Sequence, residues 1–591
     1  MSLEMLQQSR FLFLKRVLVF LFSLLFLRCF QLQVLRGSVY KKWSEKNHVR
    51  QIPIVAPRGF IFDRTGEILV KNRPSYSLFV VPYEFRKNPA DQEIISSLLG
   101  ISIDEIETCI DKAGGGPFTP VRLIQNMDFA TLSVVEENRA DLPGIFYQIE
   151  PVRTYPSSVK ASHVIGYCGE ISSAELSSLK ARGYRQGDII GKSGVERSYN
   201  NILRGKRGYR YVEVDVRGRE VGNFGGKRDI PPIPGSDIML TLNVRLQGFV
   251  ENLLDGKRGA AVVMDPRSGD ILAMVSKPDY NLEPFARRLP SAVWEKLQND
   301  PNKPLLNRAI QAQLPPGSTY KLVLTTAALE QHVIDPEKKV FCNGYFMLGK
   351  KLFRCWKPQG HGSVNLLDAI EVSCNVFFYQ LGLKTGIGPL VKYGKLFGFG
   401  SLTRVDLVGE SKGLLPDREY LNKKYGKRKW SKGMIVNLSV GQGDILVTPI
   451  QMAKLVSIIA MDGKFTVPHV LLAIKDQSSD MWKKKTFRSK QIEGLSPEIF
   501  QILKEGMYRV VNYPNGTGRA AHVPNIEVCG KTGTAQNPQG EPHAWFVGFA
   551  PREMPRIVVV VVIENGGTGG GIAAPIAGMI FRYFFQMGRI S

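Results

Sequence analysis

The chain has 591 residues, enough for several domains and a large hydrophobic core. Hydrophobic residues make up 43% of it and charged residues 22%, ordinary values that exclude global disorder. The formal net charge is +25, but the basic residues are mostly dispersed and no recognisable nucleic-acid module surrounds them. We therefore expect no nucleic-acid partner. The charge favours a basic surface that faces an anionic membrane or polymer.

An apolar segment near the N-terminus, residues 11–30, is a candidate membrane span. Its uncharged part, 17–27, is short for a full span, but it lengthens if the flanking basic side chains snorkel. A signal peptide is the alternative, yet no small-x-small cleavage site follows residue 27, which favours an uncleaved anchor. Basic residues occur on both sides of the segment, so charge leaves the orientation open.

The next two hundred residues mix predicted strands and helices. Residues 51–70 indicate extended segments broken by proline and glycine, and residues 91–99 indicate a helix. Pro231-Pro232-Ile233-Pro234-Gly235 has the composition of a linker. It predicts a boundary between an N-terminal domain, 40–233, and a larger C-terminal domain, 236–591.

The C-terminal domain shows strong patterns at both of its ends. A helix is predicted at 244–254, and apolar strands at 260–264 and 270–276 are joined by Asp265-Pro266-Arg267-Ser268-Gly269, a hairpin signature. Near the end of the domain, we predict strands at 546–550 and 557–563 and a helix at 573–585.

The first chemical motif is Ser318-Thr319-Tyr320-Lys321. On a helix its hydroxyl and its amine lie on one face, one turn apart. Pro315-Pro316-Gly317 predicts a helix start, and residues 322–329 continue with good helix formers. Ser318 would then lie at the positive helix end, and Lys321, if desolvated, could accept the serine proton. Ser-x-x-Lys alone arises often by chance, so further motifs are needed.

Two further motifs supply the missing parts. In Ser373-Cys374-Asn375 a second hydroxyl could pass a proton to a leaving amine, and the amide could orient a peptide bond. Lys531-Thr532-Gly533-Thr534 is typical of a strand edge. Its cation and hydroxyls could hold a carboxylate, and Gly533 would let a substrate approach the backbone.

Four residues stand apart as possible metal ligands: Cys342, Cys355, His361 and Cys374. Three thiolates and one imidazole are a standard tetrahedral zinc set. Their spacing matches no ordinary zinc-finger pattern, however, and a disulfide between Cys342 and Cys355 remains open from spacing alone.

The three motifs in this order resemble those of penicillin-binding proteins and class A β-lactamases. Further strings extend the resemblance over nearly the whole chain, and they point to class B penicillin-binding proteins, most closely the elongation-type family, penicillin-binding protein 2. These strings are Arg58-Gly59-Phe60-Ile61-Phe62-Asp63-Arg64-Thr65-Gly66, Gly191-Lys192-Ser193-Gly194-Val195-Glu196, Gly441-Gln442-Gly443 with Thr448-Pro449, and Lys531-Thr532-Gly533-Thr534-Ala535-Gln536.

The resemblance implies an α/β fold in which an antiparallel sheet flanked by helices forms the transpeptidase domain, 236–591. An α+β pedestal domain of the dimerisation type, 40–233, would precede it, after a cytoplasmic tail, 1–10, and one transmembrane helix, 11–30. The implied localisation is the inner membrane, with the catalytic domain on the periplasmic side.

The implied activity is that of a serine-type D-Ala-D-Ala transpeptidase that cross-links peptidoglycan stem peptides during elongation, with D,D-carboxypeptidase activity as a side reaction. Ser318 would be the nucleophile, acylated also by β-lactams. The other catalytic residues would be Lys321, Ser373, Asn375 and Lys531. The substrate carboxylate would bind at Thr532, Gly533 and Thr534, and the oxyanion at the backbone N–H groups of Ser318 and Thr534.

Three other assignments are weighed against this one. A β-lactamase needs a deacylating base, and no class A glutamate loop is recognisable. A β-lactam sensor receptor would normally carry several spans and a cytoplasmic effector. A division-type transpeptidase of the same class is the nearest alternative, and the metal-ligand quartet favours the elongation type.

The resemblance also bears on cofactor and partners. Some penicillin-binding proteins 2 carry zinc at these relative positions, with aspartates at the first two where this chain has Cys342 and Cys355. It therefore implies one structural zinc ion held by Cys342, Cys355, His361 and Cys374. It further implies a SEDS-family glycan polymerase and an MreC-type scaffold as partners.

Overall fold

A computed structural model of the chain describes residues 3–38, 40, 49–113, 116–214, 220–223, 229–286, 289–427, 429–538 and 540–590. The chain forms two compact units, each assembled from non-contiguous segments. The first comprises residues 1–57, 75–150 and 206–234, and the second comprises 58–74, 151–205 and 235–591. The linear division predicted above therefore stays a prediction. Within the predicted pedestal, 40–233, the stretches 41–48, 114–115, 215–219 and 224–228 lie outside the described residues.

The first unit begins with the long helix Leu3–Phe30, which continues as the π-helical turn Gln31–Leu35. Its segment Arg10–Leu35 is long and apolar enough to cross a membrane, with a mean hydropathy of 2.0. No residue in the most apolar stretch of this segment is buried in the protein, as a lipid-facing helix requires. The segment predicted at 11–30 lies wholly within it.

The rest of the first unit mixes helices and antiparallel strands. Its core consists of buried aliphatic residues and Phe85. The helix predicted at 91–99 is confirmed, with Asn88 as its N-cap. Strand Val49–Ile54 pairs with Gly208–Val214, which pairs with Glu220–Asn223. Strand Ile68–Val80 pairs with both Val121–Met127 and Ile145–Thr154. The helices are Pro82–Lys87, Pro89–Leu99, Ile103–Ala113, Phe129–Glu137 and the 3-10 turn Arg139–Asp141.

A five-stranded antiparallel sheet, here called the central sheet, organises the second unit. Its strands, in spatial order, are Ile271–Lys277, Gly259–Met264, Ile557–Ile563, Gly540–Ala550 and Cys529–Asn537. The predicted hairpin around Gly269 joins the first two strands, and the strand predicted at 557–563 is confirmed. Every residue of Ile557–Ile563 is buried, so both faces of the sheet are covered.

Helices cover this sheet. Val244–Leu253 and Ala574–Ile590 pack against each other and the sheet, and Pro449–Ala460 packs on its middle strands. The other helices are Ser162–Ile165, Ser173–Leu179, Gly194–Ser198, Asn200–Leu203, Ser291–Asn299, Arg308–Gln311, Lys321–Glu330, Leu366–Glu371, Asn375–Thr385, Ile387–Leu396, Arg418–Tyr425, Lys432–Ser439 and Pro497–Asn512, with shorter turns at Lys180–Arg182, Glu283–Ala286, Gly317–Tyr320, Arg519–Ala521 and Gly569–Ala573.

The remaining strands of the second unit lie outside the central sheet. Ile238–Leu240 pairs with Ile61–Phe62 and Leu471–Lys475, which continues to Trp482–Lys484; the separate pairs are Cys168–Glu170 with Ile189–Gly191, Val340–Cys342 with Gly362–Val364, Tyr345–Leu348 with Lys351–Arg354, and Lys464–Thr466 with Ser489–Gln491. The antiparallel sheet flanked by helices confirms the predicted fold class of this unit.

Candidate active site

The three predicted motifs meet at the edge strand of the central sheet, Cys529–Asn537. Ser318 lies half-buried in the 3-10 turn Gly317–Tyr320, which leads into the α-helix Lys321–Glu330. The helix start predicted at Pro315-Pro316-Gly317 is therefore present. Inside the turn, the Thr319 hydroxyl donates to the Pro316 carbonyl at 2.8 Å and closes it.

Glycines let three backbone segments touch around Ser318. The N–H of Gly317, whose φ is +57°, donates to the Gly441 carbonyl at 3.0 Å. A Cβ atom on Gly441 would lie 2.0 Å from the Gly317 carbonyl oxygen, and one on Gly533 would lie 2.8 Å from that of Pro316. These approaches are shorter than any real Cβ contact, so only glycine fits at either place.

Two buried lysines converge on the Ser373 hydroxyl. Lys321 Nζ donates to the Ser373 carbonyl at 2.8 Å, to Ser373 Oγ at 3.2 Å and to Asn375 Oδ1 at 2.8 Å. Lys531 Nζ donates to Ser373 Oγ at 2.9 Å and to the Thr532 carbonyl at 3.1 Å. The structure thus brings Lys321, Ser373, Asn375 and Lys531 into one hydrogen-bonded group. Among the residues that the structure describes, Ser318 Oγ is not a partner of Lys321.

Ser373 is held in an unusual conformation. Its φ is +53°, in the left-handed region that non-glycine residues seldom occupy, and its side chain is buried. It links helix Leu366–Glu371 to helix Asn375–Thr385, and its N–H donates to the Ile370 carbonyl at 3.2 Å. This connection holds the hydroxyl against the two amines, a strained arrangement that is common at functional sites.

Burial disfavours the charged form of both lysines. Loss of solvation lowers the pKa of Lys321 to about 8, against the smaller opposing effect of the nearby thiols of Cys374 and Cys355. Burial, followed by the charge of Lys321, lowers the pKa of Lys531 well below its ordinary value. Because like charges so close together repel, the two amines favour one positive charge between them over two at neutral pH.

The hydroxyls of the third motif are fixed by residues that the sequence analysis missed. Thr532 Oγ1 lies 2.7 Å from the Thr517 hydroxyl, and Thr534 Oγ1 accepts from the N–H of Gly569 at 3.3 Å. The Gln442 amide donates to the Thr534 carbonyl at 3.2 Å. Because Thr534 Oγ1 accepts this bond, its own proton is available to an acceptor in the cleft. Of the three supporting residues, only Gln442 had a sequence signal, in Gly441-Gln442-Gly443.

The four predicted metal ligands lie together beside Ser373. Their ligand atoms are all within 4.8 Å of one another, and the residues are buried or half-buried. His361 Nδ1 is 3.7 Å from Cys342 Sγ and 3.5 Å from Cys355 Sγ. The hydrogen bond from Cys374, and after the opposing effect of burial that from His361, lowers the pKa of the Cys355 thiol, which favours the thiolate form that binds metals. The cluster could hold one metal ion.

Known families match both parts of the chain. The model described as the penicillin binding protein transpeptidase domain matches residues 259–582, and that of the penicillin-binding protein dimerisation domain matches residues 53–240. The chain is 33% identical to peptidoglycan D,D-transpeptidase MrdA of Haemophilus influenzae, over 98% of this chain and 92% of that protein. The chain belongs to the penicillin-binding protein 2 family.

Solved structures agree with this assignment. The chain is similar to penicillin-binding protein 2 in its complex with MreC from Helicobacter pylori, with 31% identity, a TM-score of 0.78, and 91% and 100% of the two chains covered. It is also similar to a chain of a peptidoglycan synthase complex, with 30% identity, a TM-score of 0.70 and 98% of each chain covered. As a member of the penicillin-binding protein 2 family, it is a serine D,D-transpeptidase of the elongation type, which confirms the predicted activity.

Proposed function

We propose that Ser318 is the nucleophile of this transpeptidase and that the amines of Lys321 and Lys531 and the hydroxyl of Ser373 move its protons. The observation that carries the proposal is the convergence of two buried amines on Ser373 Oγ, next to the turn that holds Ser318. A buried amine with a lowered pKa can accept a hydroxyl proton at neutral pH, which a solvated lysine cannot do well.

The first half-reaction forms an ester and breaks an amide. Ser318 Oγ attacks the carbonyl between the two terminal D-alanines of a donor stem peptide, and its proton passes to Lys321. The carbon–nitrogen bond then breaks, Ser373 delivers its proton to the departing D-alanine amine, and the Lys321 ammonium returns a proton to Ser373. In the second half-reaction an acceptor amine attacks the ester carbonyl and loses a proton to Lys321 through Ser373. The ester carbon–oxygen bond breaks, the Ser318 oxygen takes up that proton, and the new amide completes the cross-link.

The remaining residues bind and orient the substrate. Thr532 and Thr534 present hydroxyls to its carboxylate, and the Asn375 amide orients the donor peptide bond. The oxyanion would bind to the N–H groups of Ser318 and Thr534, and the close approach of their segments supports this, since a Cβ on Gly317 would lie 2.9 Å from the Thr534 carbonyl. A β-lactam carries the same carboxylate and an acylating carbonyl, so it would acylate Ser318.

Mass spectrometry of the intact protein after penicillin treatment tests this assignment. We expect one penicilloyl adduct on the wild-type chain, mapped to the peptide that contains Ser318, and none on Ser318→Ala. Ser363→Ala, which changes an exposed hydroxyl elsewhere in the same unit, should be acylated normally. An adduct on Ser318→Ala equal to that on the wild type would refute the role of Ser318.

We also propose one structural zinc ion at Cys342, Cys355, His361 and Cys374. The donor set supports it, because three thiols and an imidazole nitrogen within 4.8 Å of one another match a closed tetrahedral site. Such an ion would tie the ends of residues 342–374 together. Four protein ligands would leave it no open position for water, so its contribution would be to hold Cys374 between Ser373 and Asn375.

We further propose that residues 11–30 anchor the protein in the inner membrane with the transpeptidase unit on the periplasmic side, where its substrate lies. A SEDS-family glycan polymerase and an MreC-type scaffold would be its partners. The similar structures that were solved as a complex with MreC and as a peptidoglycan synthase complex support these partners. Their similarity to this chain extends over nearly its whole length.

A further inference from the structure

A short hairpin of the second unit exposes an unusual number of large apolar side chains. The exposed fractions are 46% for Tyr345, 50% for Met347 and 43% for Leu352, all on this hairpin, and 56% for Trp356, just beyond it. Single exposed apolar residues are ordinary, but a concentrated group in one small element indicates a binding surface.

Strand register explains which side chains face outward. Tyr345 pairs with Arg354 and Met347 pairs with Leu352, so these four lie on the same face of the two-stranded sheet Tyr345–Leu348 and Lys351–Arg354. The opposite face carries Phe346 and Phe353, whose rings lie 6.3 and 5.7 Å from that of Tyr379. The face with Phe346 and Phe353 therefore packs against the protein, and the face with Tyr345, Met347, Leu352 and Arg354 is exposed.

The segment that carries this face is strongly basic. Residues 338–357 contain six lysines and arginines and no acidic residue: Lys338, Lys339, Lys350, Lys351, Arg354 and Lys357. Within the described part of the chain, none of these six forms an ion pair with a carboxylate. An occupant of this surface would therefore need negative charge as well as apolar or ring-shaped surface.

The hairpin is bound directly to the catalytic motif. The Trp356 indole N–H donates to the Val372 carbonyl at 3.0 Å, one residue before Ser373. The Tyr379 hydroxyl donates to the Arg354 carbonyl at 3.1 Å, and Tyr379 lies one turn along the helix that begins at Asn375. The hairpin that carries the exposed face is therefore hydrogen-bonded to the segment on each side of the second motif.

We propose that the outward face of this hairpin, formed by Tyr345, Met347, Leu352 and Arg354, together with Trp356, is a docking surface for the peptidoglycan strand whose stem peptide is being cross-linked. This inference rests on the proposed function of the cleft. A peptidoglycan strand combines sugar rings with the carboxylates of its stem peptides. Aromatic and methionine side chains supply adaptable apolar area for the rings, and the cations bind the carboxylates.

Continuity with the cleft favours this polymer over a lipid surface. A stem peptide that reaches Ser318 remains attached to its glycan strand, which must continue over the rim of the cleft. The hairpin lies on the Ser373 side of the catalytic group, because Trp356 donates to the residue just before Ser373. An isolated penicillin or a short peptide would fill the cleft without reaching it, so the two binding events are separable.

The test uses the full chain in phosphatidylcholine nanodiscs and purified insoluble peptidoglycan sacculi, with binding measured by co-sedimentation. The variant Tyr345→Ser/Met347→Ser/Leu352→Ser should bind sacculi about tenfold more weakly than wild type, as loss of interface anchors predicts. Its rate constant for acylation by penicillin should not change, which shows that the cleft is folded. Met481→Ser/Met554→Ser removes two other exposed methionines and should change neither quantity.

A second variant, Lys350→Glu/Arg354→Glu, should weaken sacculus binding most at low salt, because exposed charges are screened as salt rises. Unchanged sacculus binding in both variants would overturn the inference. An effect of the variants that requires phosphatidylglycerol in the nanodisc, without sacculi, would assign the surface to lipid and overturn it as well. Failure of the wild-type chain to form a penicilloyl ester at Ser318 would instead contradict the proposed function of the cleft.

Discussion

Lys321 and Lys531 reach Ser373 Oγ together, and the pKa of each is lowered mainly by burial. A lysine that must act as a base has to lose its proton first. The fraction of neutral Lys321 rises as pH increases through about 8 and falls below it. Activity that depends on a neutral Lys321 must follow the same curve.

We therefore expect the second-order rate constant for penicillin acylation to fall about tenfold for each pH unit below about 8 and to level off above it. Stopped-flow measurement with a fluorescent penicillin across a pH series checks this. Lys321→Arg, which stays charged at every pH, should show almost no acylation throughout. A flat profile for the wild type would show that Lys321 is not the base.

Thr517 offers a second prediction, because its hydroxyl shares a 2.7 Å hydrogen bond with Thr532. Thr517→Val keeps the shape but removes the bond, and we expect it to lower penicillin acylation about fivefold, the equivalent of ~1 kcal/mol. Thr517→Ser should restore the wild-type rate. A penicillin methyl ester, which lacks the carboxylate, should react equally with all three proteins. Equal losses with both compounds would indicate a general structural role instead.

The sequence motifs predicted the reactive groups but not the hydrogen bonds between them. Ser318 and Lys321 were recognisable because their spacing is local, whereas Lys321 donates to Ser373 and Asn375, more than fifty positions away. Thr517 and Gly569 had no signal, since each acts through one hydrogen bond to a residue that is remote in sequence or in a different element. Such contacts depend on tertiary packing, which no short pattern encodes.

At the scale of elements, the segment 342–374 joins the four candidate metal ligands to the second motif. The N–H of Asn375 donates to Cys355 Sγ at 3.4 Å, so the cluster and the active-site helix share a contact. The four ligands were predictable from residue type and resemblance. The hairpin between Cys342 and Cys355 was not, because its outward face breaks the usual alternation of polar and apolar residues.

Metal analysis of the purified protein should find about one zinc ion per chain. We expect Cys355→Ser to lose the metal and to lower both the melting temperature and the rate of penicillin acylation, because metal-binding free energy is also local folding free energy. Cys109 is a half-buried cysteine outside the cluster, so Cys109→Ser should retain the metal, the melting temperature and the rate of penicillin acylation. A metal-free, fully active wild-type protein with a Cys342–Cys355 disulfide would refute the metal site.

At the scale of the whole molecule, the strong local patterns predicted individual strands correctly, and the predicted domain boundaries stay a prediction. The buried strand Ile557–Ile563 and the hairpin at Gly269 follow from local composition. The two compact units exchange segments along the chain, with 58–74 and 151–205 belonging to the same unit as the transpeptidase fold. A reading that proceeds along the sequence assigns contiguous domains and cannot anticipate such an exchange.

Removal of residues 1–40 should release the protein from membranes and leave penicillin acylation intact. The helix Arg10–Leu35 exposes its apolar surface, and every predicted catalytic residue lies at Ser318 or beyond. Ultracentrifugation of the membrane fraction and a gel assay with fluorescent penicillin measure the two properties. Recovery of the truncated protein in washed membranes would show a second means of attachment.

The glycine contacts around Ser318 limit which substitutions could make this protein resistant to β-lactams. Gly317, Gly441 and Gly533 bring backbone against backbone, and a side chain at Gly441 would lie 2.0 Å from a carbonyl oxygen. A substitution there disturbs the nucleophile itself, so a mutant that evades the drug would also lose cross-linking. Selection under β-lactams should consequently leave these three codons unchanged. Resistance mutations should instead occur at residues whose side chains line the cleft, because a changed side chain there can weaken binding of the drug more than binding of the stem peptide.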